Sequence, residues 1–140
     1  MILWQTACPK RPGIISISMA KKFNLKTTSD LDLKQRKSRL LATMHIPSNA
    51  IRASKVRQFL TCGKKNCRCH EGRKHGPFHY LVQCMGVGSI RKFLLKTPAQ
   101  REQAAVCIAT YNEFQEQVEE LSQLNTELLR RGLPMDDRAA

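Results

Sequence analysis

Apolar positions change their spacing several times along this 140-residue chain, and the changes mark out its elements. Residues 1–28 show no period and contain Pro9, Pro12 and Gly13, so this segment reads as disordered or weakly attached. Ser29-Asp-Leu-Asp then opens a helix. Ser29 is placed to cap it, and Asp30 and Asp32 sit where the positive end of the helix dipole favours them. Leu33, Leu40, Leu41 and Met44 form a partial apolar stripe, and Pro47 closes the segment. From Ile51 to Thr61 the pattern fits neither period. Ile51, Ala53 and Phe59 fall on odd positions and Val56 and Leu60 on even ones; we read a strand leading into Cys62. Pro77–Cys84 is rich in β-formers, Gly86-Val-Gly88 supplies turn residues, and Ser89–Leu95 follows, which is the pattern of a β-hairpin. With the preceding segment it makes a three-stranded antiparallel sheet, as a hairpin alone is marginal.

The last element is the longest. Thr97 is placed as N-cap, Pro98 fits the first turn and Gln100 can reach back in a capping box; no breaker follows until Gly132 and Pro134. A helix of that length spans about 50 Å. Cys107, Tyr111, Phe114, Val118, Leu121, Asn125 and Leu128 step alternately by four and three, the seam of a coiled coil with one polar position. This seam predicts a homodimer or, alternatively, packing against the chain's own sheet and first helix. Ile108, Leu124 and Leu129 widen the stripe and favour the second for part of its length. The expected architecture is α+β: 1–28 weakly structured, 29–97 a basic helix with a Cys/His knuckle and β-hairpin, 98–132 a long helix, and 133–140 a disordered tail.

Charge adds a direction to this scheme. The chain carries +13 overall. Residues 1–97 hold 20 Lys and Arg against 3 acids, whereas residues 98–140 hold 4 against 8. The first part suits an anionic partner, and a phosphate backbone suits it best because bound Lys and Arg release counterions. No stretch pairs a basic face with an apolar face and aromatic anchors, so a membrane surface is not the expected partner.

The candidate chemistry is concentrated between Cys62 and Tyr80. This stretch holds three of the six cysteines and three of the four histidines, with Lys64, Lys65, Arg68, Arg73 and Lys74 against the single acid Glu71. The amino terminus lacks the charged n-region of a secretory signal, so a reduced, cytoplasmic setting is expected, and there clustered cysteines are metal ligands before they are disulfides. Cys62, Cys67 and Cys69 can present thiolates to one ion, and His75 supplies a fourth ligand at short range; zinc is the metal that fits. His79 and Cys84 are rivals for the fourth place. A metal here would hold the five cations of the loop on a fixed turn, with Arg91 and Lys92 of the hairpin as further nucleic-acid contacts. Phe78 and Tyr80 are close enough in sequence to stack on bases, although a place in the hairpin core is the more ordinary role.

Catalysis is poorly provided for. Before residue 98 only Asp30, Asp32 and Glu71 carry carboxylates, too few to hold a pair of metal ions for strand cleavage. No glycine-rich phosphate loop, nucleophile elbow or His-Glu-x-x-His motif is present.

With Cys62-Gly-Lys-x-x-Cys-x-Cys and His75-Gly-Pro-x-x-Tyr80, the sequence resembles a bacterial family of small proteins of unknown function, often encoded beside transposases and in other mobile elements. The resemblance covers roughly Leu33 to Leu129. It implies the same order of helix, cysteine stretch, hairpin and long helix, and a DNA-related accessory role with a transposase or recombinase as partner. It departs at Gly88-Ser-Ile-Arg91-Lys92, where the family's turn usually carries Gly-Lys, and at Ser48-Asn-Ala-Ile51, where Gly-Ser-Leu is usual. The expectation from the whole chain is a non-enzymatic, zinc-stapled module that binds nucleic acid, most simply DNA. The alternatives are a scaffold whose basic face meets an acidic protein and a thiol-based redox protein.

Overall fold

The computed structural model describes residues 24–135. The expected weak order of residues 1–23 and of the tail 136–140 lies outside them. Element order is helix α1 (Asp30–Thr43), strands β1 (Ser54–Leu60), β2 (His75–Gly86) and β3 (Ser89–Leu94), and helix α2 (Pro98–Arg130). This is the α+β arrangement anticipated from the sequence. By its contacts the chain divides into two compact units, one comprising described residues 49–111 and the other 24–48 with 112–135; α2 contributes to both.

In the helical unit, local chemistry sets each end. The Ser29 side chain accepts a hydrogen bond from the Asp32 N–H at 3.1 Å and starts α1. At the other end of α2, the Leu133 N–H donates to the Leu128 carbonyl and the Gly132 N–H to the Leu129 carbonyl, with Gly132 at φ 68°. That is a Schellman stop, and it needs the left-handed conformation that glycine adopts without strain. Leu33, Leu124 and Leu128 are fully buried together, with Leu25, Leu40 and Leu133 packed around them. The ends of the described chain are therefore more ordered than the sequence indicated. Leu25–Thr27 forms a single 3-10 turn, Leu133 joins the core, and the Met135 carbonyl accepts from the buried Lys37 ammonium.

Arg131 closes this unit with all five of its N–H donors. Nε donates to Glu127, one terminal nitrogen to Asp30 and the Thr28 carbonyl, and the other to the Leu25 and Lys26 carbonyls. Each donor in the rigid guanidinium fork has an acceptor, a pattern that lysine cannot reproduce. Arg36 pairs with Glu120. Of the cations on the basic face expected of α1, Arg36 and Lys37 are thus engaged within the protein. The coiled-coil seam is divided as well. Leu128 is wholly buried in this core and Leu121 half-buried, whereas Val118 is 42% exposed. The Asn125 side-chain oxygen is buried with no hydrogen-bond partner among the described residues.

In the sheet unit, β2 is central and pairs antiparallel with β1 and β3. The sheet leads directly into α2. The Gln100 N–H donates to the Thr97 hydroxyl, while the Gln100 side chain accepts from the Thr97 and Lys96 N–H groups. This is the capping box expected from the sequence. The Ile51 N–H donates to the Cys107 carbonyl and ties the entry of β1 to α2. Among the described residues no helix is long and apolar enough to cross a membrane.

Two predictions concern the helical unit. Leu124→Ala should destabilise it by about 2–5 kcal/mol, the usual cost of a buried leucine cavity, measured by chemical denaturation. Arg130 and Arg131, which donate to Glu127, hold its carboxyl at about 2 against an ordinary 4.5. A depressed carboxylate stabilises the fold above its unfolded pKa, and that contribution is lost as pH falls through the folded value. Between pH 4.5 and about 2 the wild type should therefore lose melting temperature more steeply than Glu127→Gln.

Candidate metal centre

The candidate centre sits in the connection from β1 to β2. Cys62 follows the end of β1 by two residues, Cys67 and Cys69 flank and enter a 3-10 turn (Arg68–Glu71), and His75 is the first residue of β2. The loop folds on itself through local backbone bonds. The Cys67 N–H donates to the Lys64 carbonyl at 3.2 Å and the His70 N–H to the Cys67 carbonyl at 3.1 Å. Gly72, at φ 99°, takes the left-handed conformation that ends the turn. These bonds aim the side chains of positions 62, 67, 69 and 75 at one point.

The four ligand atoms all lie within 4.8 Å of one another. The Cys62 and Cys69 sulfurs are 3.5 Å apart, and the Cys67 sulfur is 3.2 Å from His75 Nε2. A tetrahedron with arms of about 2.0–2.3 Å has edges of about 3.3–3.8 Å, so these separations suit four ligands around one ion. The sulfurs are too far apart for a disulfide, whose bond is about 2.05 Å. The four residues are graded in exposure. Cys69 is buried, Cys62 and Cys67 are half-buried and His75 is exposed.

The thiols are not equivalent. The Cys69 N–H donating to the Cys67 sulfur, helped by the Cys69 and Cys62 side chains, holds the Cys67 thiol below its usual value. Burial pushes the Cys69 thiol up, although the Cys62 N–H, 3.4 Å from its sulfur, opposes this. A metal would override the second effect, because a coordinated thiol is deprotonated outright.

His75 owes its position to the residue after it. Gly76 has φ 129°, and a Cβ there would come within 2.9 Å of the Gln58 carbonyl oxygen and 3.2 Å of the Phe59 ring. The close approach of β1 and β2 at the mouth of the loop therefore requires glycine at this point. The pairing register also shifts here, between Gln58 and Leu60.

The set Cys62, Cys67, Cys69 and His75 is the one expected from spacing, and its rivals lie elsewhere. His70 turns its Nε2 to the Lys64 carbonyl at 3.0 Å. His79 lies within β2 opposite Arg57, with its pKa lowered by burial and then by the charges of Arg101, Lys55 and Arg57. Cys84 lies towards the hairpin turn, opposite Ile90. Residues 30–86 match a family described as a domain of unknown function (DUF6788). The matched stretch runs from α1 to the end of β2 and so includes the whole Cys/His group. No curated protein and no solved structure matches the chain.

The cations around the centre are all exposed: Lys64, Lys65, Arg68, Arg73 and Lys74 in the loop, and Arg91 and Lys92 on β3. Neighbours on β3, the last two point to opposite faces of the sheet. The Lys92 ammonium lies 3.9 Å from the centre of the Tyr80 ring and also donates to Gln58. Tyr80 and Phe78 are half-buried, and the exposed aromatic residues of the sheet are Phe59 and Phe93, which the sequence pattern did not single out.

A direct check separates the ligands from their rivals. Purified with metal, Cys84→Ser and His79→Ala should retain the wild-type metal content. Cys69→Ser should lose most of it, and His75→Ala should bind with lower affinity, as read by elemental analysis and by cobalt(II) absorption in competition with a chelator.

Proposed function

We propose that the sheet unit is a zinc-stapled, non-enzymatic module that binds nucleic acid, with DNA as its target. The observation that carries this reading is where the charge lies. Residues 49–111 hold twelve Lys and Arg against two acids, Glu71 and Glu102. The described residues of the helical unit hold seven of each. The positive charge therefore belongs to the unit that bears the Cys/His group, and it is displayed on a short loop and a small sheet.

Three thiolates and an imidazole are a donor set that favours zinc, and a closed set of four protein ligands is characteristic of structural rather than catalytic zinc. Metal binding would contribute its free energy to folding and hold Lys64, Lys65, Arg68, Arg73 and Lys74 on a fixed turn. Free thiolates require a reducing compartment, in keeping with a cytoplasmic setting. An accessory role beside the transposase or recombinase of a mobile element is the context implied by the sequence resemblance. Self-association through the partly exposed α2 seam is compatible with it.

Two measurements test the proposal. Protein prepared without added metal should contain about one zinc per chain, and chelation should abolish the sheet's cooperative melting; full folding with almost no metal would remove the staple. In a titration against DNA, affinity should fall steeply with salt. Replacing Lys64, Lys65 and Arg68 together by Ala should flatten the log–log salt slope by about 3, roughly one unit per lost phosphate contact. Absence of binding at low salt would shift the reading to a scaffold for an acidic protein.

A further inference from the structure

One face of the sheet is both basic and aromatic. Along β1, Lys55, Arg57 and Phe59 are exposed, while Ser54, Val56 and Gln58 on the other face are half-buried. Register carries this face across the sheet through His79, Leu81 and Gln83, which are half-buried on the central strand. Lys55 stands opposite Leu81 and Phe93, Arg57 opposite His79, and Gln83 opposite Arg91. Directly paired residues share a face, so Lys55, Arg57, Phe59, Arg91 and Phe93 form one surface.

Phe59 is 50% exposed and Phe93 52%, on opposite edge strands. Strand spacing and rise place the two positions about 16 Å apart, far enough to engage separate bases. The Arg57 guanidinium lies over the Phe59 ring, 5.8 Å from its centre, so a cation and a ring share one patch. The three strands contain no Asp or Glu, and nothing on this face repels a phosphate. A soluble protein that leaves two phenyl rings among three cations displays the two groups that grip a nucleotide, one for the base and one for its phosphate.

We infer that this face is a stacking platform for single-stranded DNA, with bases on Phe59 and Phe93 and the backbone along Lys55, Arg57 and Arg91. The inference rests on the nucleic-acid reading above and specifies its ligand. Duplex DNA keeps its bases stacked and offers a flat sheet little besides phosphates, so the two rings would have no partner. An unpaired strand exposes the faces that aromatic residues take. The choice of DNA over RNA is carried from the reading above, and a matched uridine strand tests it.

The test compares metal-loaded full-length protein with Phe93→Ala, Phe59→Ala and Phe93→Tyr. Each is titrated by fluorescence anisotropy against a thymidine oligonucleotide of about 12 nucleotides, the matching uridine oligonucleotide and a duplex of the same length. Phe93 is exposed and lies on the strand away from the metal loop, so its variants should keep wild-type metal content and circular dichroism; the same two readouts certify the fold of Phe59→Ala, whose ring borders Gly76, before its affinity is read. The expected result is tighter binding of the thymidine strand than of duplex. Each Ala variant should lose about five-fold or more in affinity for the strand and little for duplex, and Phe93→Tyr should bind the strand like wild type. Equal binding of strand and duplex, unchanged in both folded Ala variants, would overturn the platform and leave the phosphate-gripping knuckle standing. Uridine binding as tight as thymidine overturns the choice of DNA. Failure of every nucleic acid to bind at low salt removes the parent reading and the platform with it.

Discussion

The sheet unit must hold twelve cations with only two acids among them, and it has little apolar core with which to do so. Its buried apolar residues are Cys69, Leu95, Ala104 and Cys107, and the large, fully buried side chains among the described residues, Leu33, Leu124 and Leu128, all belong to the helical unit. Self-repulsion of this kind works against compactness, and a core of this size does little to offset it. Two sources of stabilisation fit the residues present. One is a tetrahedral ion tying the β1–β2 loop; the other is a polyanion laid across the surface. Small domains short of core often use the first, and linkage makes the second a stabiliser as well as a ligand.

The helical unit solves the same problem internally. Its charges are balanced, and the best-placed of them are used on one another. Arg131 saturates its five donors, Glu127 accepts from two arginines, and Arg36 meets Glu120. The contrast bears on function, because cations already engaged at short range have less to offer an incoming phosphate. On that ground α1, although rich in Lys and Arg, is the weaker candidate for contact with nucleic acid, and the loop and sheet are the stronger.

How much of this could be read in the sequence depended on whether a feature is local. The caps at Ser29 and Thr97, the stop at Gly132 and the Cys/His group are all set by residues a few positions apart, and spacing was enough to place them. The faces of the sheet were not legible in that way. In β1 the half-buried positions include Ser54 and Gln58 while Phe59 points out, so the apolar pattern is reversed and neither period appears. In β2 the run from Phe78 to Val82 is apolar or aromatic on both faces, and no alternation could say which ring is displayed. Phe78 and Tyr80 were therefore the natural stacking candidates from sequence. Pairing register and the Lys92–Tyr80 contact were needed to move that role to Phe59 and Phe93. The α2 seam left two readings open for a related reason. A heptad read on one helix cannot tell a second chain from the chain's own α1, and Leu124, outside the strict seam, proved to be at the centre of the core.

The knuckle and the open face are one mechanical system, because the chain passes directly from one to the other. Phe59 lies at the point where the β1–β2 register shifts, three residues before Cys62, and His75 begins the strand that pairs back at that point. The register of an edge strand is weakly specified when its two faces do not differ in polarity, and β1 is such a strand. Slippage by one residue would turn Lys55, Arg57 and Phe59 away and bring Ser54, Val56 and Gln58 to the surface. Gly76 opposes slippage by close packing against Gln58 and Phe59, but the contact is short. An ion held by Cys62, Cys67, Cys69 and His75 would oppose it more strongly, since Cys62 and His75 cannot both reach one ion in a shifted register. On the proposed reading the metal would select the pairing that displays the basic, aromatic face.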